Sequence, residues 1–321
     1  MKFAFIIDPI AQLDPGHDTT VAIMEAAQSL GHEVWITEIH QLSIFKGKAH
    51  AKLHSVQLKP VTLVNGLWRA ESDWYHLHQE IFCSLEEFDA VFMRKDPPMN
   101  IPYLYATYIL DFINPAQTMV VNSPQGIRAA NEKMYTLVFQ SVMPETIVTQ
   151  DKSLIRDFVD SKGAGVIKPL GGKAGEGILF LEAGDRNFNS LIEISTKQGQ
   201  EPIMVQTYLA AAKDGDKRII LLNGEAIGAV NRIPTGREFR GNMAVGATVA
   251  KTEITAKERE ICEAIAPKLL EDGLFLVGID VIGGYLTEVN VTSPTGIREI
   301  DRFDHVCLGK QVINAIVRSI N

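Results

Sequence analysis

The chain has 321 residues, 46% of them hydrophobic and 22% charged, with a formal net charge of −8 and a pI near 5.5. That length is large for one core and predicts two or three domains, in a composition ordinary for a globular protein. The acidic balance argues against a surface-wide nucleic-acid footprint, while leaving room for local basic clusters that bind small anions.

Three cysteines, Cys83, Cys262 and Cys307, are far apart and form no C-x-x-C pair. They give neither a zinc site nor a disulfide framework and suit a reducing compartment. The apolar run of the amino terminus is too short for a signal peptide, and no run is long enough to span a bilayer. A cytoplasmic protein with no membrane partner is expected.

In chain order, Lys2 to Ile7 reads as a buried strand, Thr19 to Leu30 as a helix stopped by Gly31, and Glu33 to Glu38 as a second strand. This β-α-β opening predicts an open sheet with a ligand crevice near Asp8-Pro9-Ile10. No G-x-G-x-x-G follows the first strand, so no dinucleotide site is read. A hairpin-like turn at Lys46-Gly47-Lys48, a buried strand over 89–93, a helix over 103–112 and a short strand over 119–121 complete a first domain, 1–122. His50 with His54, and His76 with His78, lack a third ligand of convincing spacing and read as exposed or structural.

A second domain is expected over 123–208. Asn131-Glu132-Lys133 opens a helical segment, a short strand follows over 147–149, and 153–161 is an amphipathic helix. Between apolar strands around Val166 and Leu179 lies a glycine-rich loop, 171–177, carrying Gly171, Gly172 and Gly175. The pattern is not a P-loop, because Lys173 is followed by Ala174 and then by a strand. It reads as a flap whose backbone N–H groups can close over phosphates, with Lys168 as a point charge beside it. An ordinary glycine-rich turn is the alternative.

The third region, 209–321, begins after an apolar strand, 203–209. Asn223-Gly224 joins two strands in a hairpin and places Arg218 and Arg232 at one end of it. The glycine-rich segment 233–250 reads as a mobile lid, with Arg237 and Arg240 able to close on anions, or as a disordered loop with solvated arginines. A helix over 255–271 and a closing helix over 311–320 flank a last hairpin, 274–291. There Asp280 interrupts an apolar strand, and Glu288 and Asn290 share one face of the return strand. A two-residue turn at Gly283-Gly284 pairs Asp280 with Thr287. A three-residue loop, Gly283 to Tyr285, with a bulge pairs Asp280 with Glu288 and is the expected geometry. Such an oxygen-donor cluster suits a hard cation completed by phosphates, the alternative being a merely polar sheet face.

Taken together, Met93-Arg94-Lys95-Asp96-Pro97-Pro98, Asn131-Glu132-Lys133, Lys168-Pro169-Leu170, Lys213-Asp214-Gly215-Asp216-Lys217-Arg218, Arg240-Gly241-Asn242 and Leu286-Thr287-Glu288-Val289-Asn290-Val291-Thr292 resemble the ATP-grasp superfamily. More closely, they resemble the prokaryotic-type glutathione synthetases, over nearly the whole chain. The resemblance implies an α/β ATP-grasp fold behind an N-terminal open-sheet, Rossmann-like domain. It implies that Lys133 and Lys168 contact ATP phosphates, that Gln206, Tyr208 and Leu209 flank the adenine, and that Asp280, Glu288 and Asn290 hold Mg²⁺ or Mn²⁺. Arg218, Arg232 and Arg240 would bind the carboxylate and stabilise the phosphoryl group in transfer. The implied reaction joins γ-glutamylcysteine to glycine through an acyl phosphate, in a homo-oligomer (dimer or tetramer). Rival readings are another carboxylate–amine ligase, such as a D-alanine–D-alanine or peptide-glutamate ligase, and a silent nucleotide-binding module.

Overall fold

The computed structural model describes every residue except 173–174, 236–240 and 242–245. The described strands form three main sheets and a small two-stranded arm. In the first sheet, Lys2–Ile6 is central, parallel to Glu33–Thr37 on one side and to Ala90–Met93 on the other. Met119–Val121 extends it in parallel beyond Ala90–Met93. Antiparallel strands Lys48–Leu58, Leu42–Phe45 and Tyr75–Ser84 extend the opposite side.

Beyond the exposed Lys2 the central strand is apolar, as suits a strand covered on both faces. Phe3, Phe5 and Ile7 point into a core with Val21 and Met24 of the Thr19–Ser29 helix and with Val312, Ile313 and Ile316 of the Leu308–Ile320 helix. Ala4 and Ile6 point the other way, to Tyr103, Ala106 and Leu110 of the Ile101–Leu110 helix. The first helix is capped by Asp18, whose carboxylate accepts from Val21 N–H at 2.9 Å. The chain's last helix therefore completes the core that its first strand begins.

The second sheet is antiparallel, in the order Thr146–Thr149, Ile203–Thr207, Ala164–Pro169, Leu179–Glu182. Ile167, Leu181 and Val205 pack on Ile155 and Val159 of the Lys152–Lys162 helix and on Ile192 of the Phe188–Ser195 helix. By the period of two, Val166, Lys168 and Gln206 face the other side.

The third sheet runs Thr248–Lys251, Glu225–Ile233, Asp216–Leu222, Leu276–Ile282, Tyr285–Asn290, all antiparallel. Ile219, Leu221, Val277 and Ile279 bury one face against Ile261, Ile265 and Leu269 of the Ala256–Glu271 helix. Ile220, Leu222 and Leu276 on the other face join the first core, through Ile297 and Ile300 of the Ile297–Asp304 helix. That short helix was not expected. It starts where Gly296, at φ 128°, turns the chain after Pro294.

Two hairpin turns decide the register of this sheet. Asn223-Gly224 forms the expected two-residue turn, with φ of 51° and 81°. The expected three-residue loop at Gly283 to Tyr285 is not formed. Ile282 pairs with Tyr285 across Gly283-Gly284, whose φ values are 57° and 78°. Positive φ at both central positions matches the right-handed twist of the flanking strands, and glycine reaches it without strain. Asp280 nevertheless pairs with Glu288, because the bulge lies in the return strand, where Thr287 has no partner. Its hydroxyl donates to the Asp280 carbonyl at 3.1 Å, which gives the displaced residue a bond in place of its ladder position.

The segment after Asn131 is a 3₁₀ helix, Met134–Phe139, begun by the Asn131 side chain accepting from the N–H groups of Lys133 and Met134. His50 stacks on Phe82 and His54 pairs with Glu80. Among the described residues no helix is long and apolar enough to cross a membrane.

Candidate active site

The inner faces of the second and third sheets enclose a cleft, with Val166, Lys168 and Gln206 on one wall and Asp280, Thr287 and Glu288 on the other. Tyr208 and Leu209, on the segment joining the two sheets, close its back, with the Tyr208 ring edge-on to Phe180 at 4.9 Å. The strand pattern places these groups. Lys168 and Val166 alternate with Ile167, so the residue that packs the core forces its neighbours into the cleft.

Lys168 is half-buried, and its ammonium donates to Gln206 Oε1 at 2.8 Å and to the Thr287 carbonyl at 3.2 Å. Burial pushes its pKa down, and the nearby Glu288 carboxylate pulls the other way. Lys133 reaches the Gly172 carbonyl at 2.6 Å and Glu288 Oε1 at 3.1 Å. Asn131 donates to the Leu170 carbonyl at 3.0 Å. The start of the glycine loop is therefore tied to the same segment that presents Lys133. A Cβ at Gly172 would meet the Glu176 carbonyl oxygen at 2.9 Å, whereas Gly171 has open space around it. Gly175 adopts φ 83° at the far side of the loop. Lys173 and Ala174 lie outside the described residues.

Deeper in the cleft two arginines and two aspartates interlock. Arg218 binds Asp280 with both prongs, Nε to Oδ1 at 2.5 Å and Nη2 to Oδ2 at 3.0 Å. Arg232 Nη2 bridges Asp216 Oδ2 at 2.6 Å and Asp280 Oδ1 at 3.0 Å. Arg218 lies across the Leu276–Ile282 strand at Gly278, where an added Cβ would come within 3.2 Å of its Cδ and 2.7 Å of Pro294 Cβ. Burial alone would raise the Asp280 pKa, but the Arg218 and Arg232 charges outweigh it and hold this carboxyl well below the usual range. Asp216 is pushed up instead, by burial and by the charge of Asp280, only partly offset by Arg232.

Asp280, Glu288 and Asn290 share one side of the bulged hairpin, with Asn290 Nδ2 3.4 Å from Asp280 Oδ2. Among the described residues no group of three or more His, Cys, Asp or Glu side chains is arranged to hold a metal. Two carboxylates with one amide oxygen nevertheless make an oxygen-only set that fits a hard cation sharing its shell with phosphates. Arg240 and Arg237 lie outside the described residues.

Sequence reasoning missed two residues. Asp216 stands two positions before Arg218 on one strand, and that spacing alone puts both on one face. Glu132 is half-buried beneath the end of the Tyr285–Asn290 strand, where Oε1 accepts from Val291 N–H at 3.1 Å and from the Thr292 N–H and hydroxyl at 3.3 and 2.9 Å. Burial and the charge of Glu288 raise its pKa. No local pattern signals it. The expected crevice near Asp8 adjoins this place: Asp8 pairs with Lys95, and buried Arg94 donates to the Thr292 and Pro294 carbonyls.

A cleft between two antiparallel sheets, with Lys168 on one wall and carboxylates on the other, defines an ATP-grasp ligase. Family models agree: residues 1–128 match the prokaryotic glutathione synthetase N-terminal domain, and 132–305 match its ATP-grasp domain. The chain belongs to the prokaryotic glutathione synthetase family. It is 65% identical to the glutathione synthetase of Nostoc sp. over 320 residues, 100% of this chain and 99% of that one. It is 41% identical to that of Mesorhizobium japonicum, over 94% of each. Among solved structures, D-cycloserine synthetase superposes with a TM-score of 0.66 over 100% of both chains at 12% identity, a likeness of fold alone.

Proposed function

We propose that the protein joins γ-glutamylcysteine to glycine with ATP, giving glutathione, ADP and phosphate. The observation that carries this reading is the Arg218–Asp280–Arg232–Asp216 cluster at the floor of the cleft, in a chain whose relatives along its full length are named glutathione synthetase. A carboxylate is a poor electrophile. Its oxygen first attacks the γ-phosphorus of ATP, the bond to ADP breaks, and an acyl phosphate forms. The amine, having lost one proton, then attacks the acyl carbon; the C–O bond breaks, phosphate leaves, and the nitrogen gives up its second proton.

In this reading Lys133 and Lys168 hold phosphate oxygens, exchanging their present carbonyl and carboxylate partners for them. The adenine sits by Gln206, Tyr208 and Leu209, and the backbone of Gly171, Gly172 and Gly175 covers the phosphates. Arg218 and Arg232 offset the charge of the substrate carboxylate and of the phosphoryl group in flight. Asp280, Glu288 and Asn290 hold a divalent cation, Mg²⁺ or Mn²⁺, which neutralises phosphate charge when bound. Arg240 acts with the other arginines, on the amide-forming step above all.

Phosphate release tests the reading. With ATP and Mg²⁺, strong release is expected only when γ-glutamylcysteine and glycine are both present, together with glutathione in the mixture. Release with two D-alanines but not with this pair would move the protein to another carboxylate–amine ligase.

A further inference from the structure

The Ile101–Leu110 helix has no charged residue on any side. Of residues 99–114 only Asp111 is charged, and Arg128 Nη2 pairs with it at 2.7 Å. One face of the helix meets the first sheet through Tyr103, Ala106 and Leu110. The opposite face carries Ile101, Tyr105 and Tyr108, with Phe112 in the turn that closes the helix. All four are exposed, Ile101 by 65% and Tyr105 by 62%. A helix without a polar face belongs in a core or under a partner. The Ala256–Glu271 helix shows the usual surface pattern instead, with Lys257, Arg259, Glu260 and Glu263 turned to water.

Spacing and area indicate what covers this face. Ile101, Tyr105, Tyr108 and Phe112 follow the four-three-four spacing of a helix–helix seam. Ile44 extends the patch. It lies two residues after Leu42, on the same sheet face, and its strand partner Ala49 donates its N–H to the Phe112 carbonyl at 3.4 Å. Three rings and two isoleucines, each about half exposed or more, leave on the order of 500 Å² of apolar side chain in water, at the upper end of what a monomer shows. Covering that patch in two copies buries on the order of 1,000 Å², enough for a specific interface.

The seam is also complementary to itself. A two-fold axis across the middle of the helix sets Tyr105 against the partner's Tyr108 and Ile101 against the partner's Phe112. The helices then run antiparallel, which brings the Asp111 end of each to the positive amino end of the other. An isologous pair of this kind needs only the one surface.

We propose that this helix face is the contact between two copies of the chain, packed antiparallel about a two-fold axis. Tyr105 and Tyr108 form its centre, where aromatic anchors carry most of the binding energy. The proposal is independent of the ligase reading.

Sedimentation of the full chain at micromolar concentration tests it. The parent should run at an even multiple of its 35.4 kDa chain mass. Tyr105→Glu should halve that mass and raise the dissociation constant at least 30-fold. The ring is exposed, so the chain should stay folded, which far-UV dichroism checks; Ile101→Asp, at the end of the seam, acts in the same direction and replaces a variant that does not fold. Tyr108→Lys alone should also dissociate. Mixed with Tyr105→Glu it should associate again, because one Glu–Lys contact and one Tyr–Tyr contact then meet across the axis. A monomeric parent would overturn the proposal. An oligomer whose mass none of these variants changes would do the same, since another surface would hold it. Mixed variants that stay apart would overturn it equally.

Discussion

Asp280 stands directly opposite Glu288 across a hairpin whose turn has only two residues, and it does so because Thr287 is bulged out of the return strand, between Leu286 and Glu288. The bulge turns a polar return strand into one that sets two carboxylates and Asn290 beside two guanidiniums. Asp280 is therefore both a candidate cation ligand and the counter-charge of Arg218 and Arg232.

Asp280→Asn leaves two buried guanidiniums without their shared carboxylate. Removing one partner of a buried ion pair costs about 3–5 kcal/mol. Urea unfolding should show a loss of that order, with ligation below detection. A variant as stable as the parent would mean that the arginines find other partners.

Glu132 offers a finer test of how the end of the Tyr285–Asn290 strand is held. Glu132→Ala strands the donors of Val291 and Thr292 and should destabilise by about 2–4 kcal/mol, while Glu132→Gln keeps an oxygen acceptor and should cost about 1 kcal/mol or less. Denaturant midpoints compare the two. Equal losses would show that charge, and not acceptance, is what Glu132 supplies.

Lys168 is a partly buried ammonium whose present acceptors are neutral. Lys168→Met removes the cost of burying that charge, so the thermal midpoint without nucleotide should move by only a few degrees. The ATP dissociation constant should rise at least tenfold, about 1.4 kcal/mol or more. Calorimetric titration measures it, and unchanged affinity would remove Lys168 from the phosphate site.

Asp301 gives a pH signature outside the cleft. Burial pushes its carboxyl up to about 6, despite the bond it accepts from Leu308 N–H at 2.8 Å. The folded state thus holds this proton more tightly than the unfolded chain does. The group's contribution is full below about pH 4 and is lost as pH rises through about 6, a change of about 3 kcal/mol. In Asp301→Asn that loss should vanish. Urea unfolding of both proteins at pH 4.5 and 7 reads the difference, and parallel behaviour would contradict the shift.

Much of this was legible locally. Positive-φ turns are written in Asn223-Gly224 and Gly283-Gly284, and period-two alternation put Lys168 and Val166 on the face opposite Ile167. The convergence of Asp280, Glu288 and Asn290 was legible for the same reason: a charged residue inside an apolar strand has few local explanations. Their pairing was expected, but through the wrong loop, because a bulge stabilised by a side chain to backbone bond leaves no mark in periodicity.

Other features needed the folded chain. Glu132 lies more than 150 residues from the donors it binds, and nothing near it in sequence distinguishes it from a solvated glutamate. Asp216 acquires its meaning only where Arg232 returns from the hairpin and Asp280 arrives from another strand, for a buried charge takes its role from what surrounds it. The sequence by itself determined the elements, their faces and the kinds of chemistry they carry, because those depend on neighbours three or four residues away. Which carboxylate neutralises which guanidinium depends on burial and distance between remote segments, and only the tertiary structure decided that.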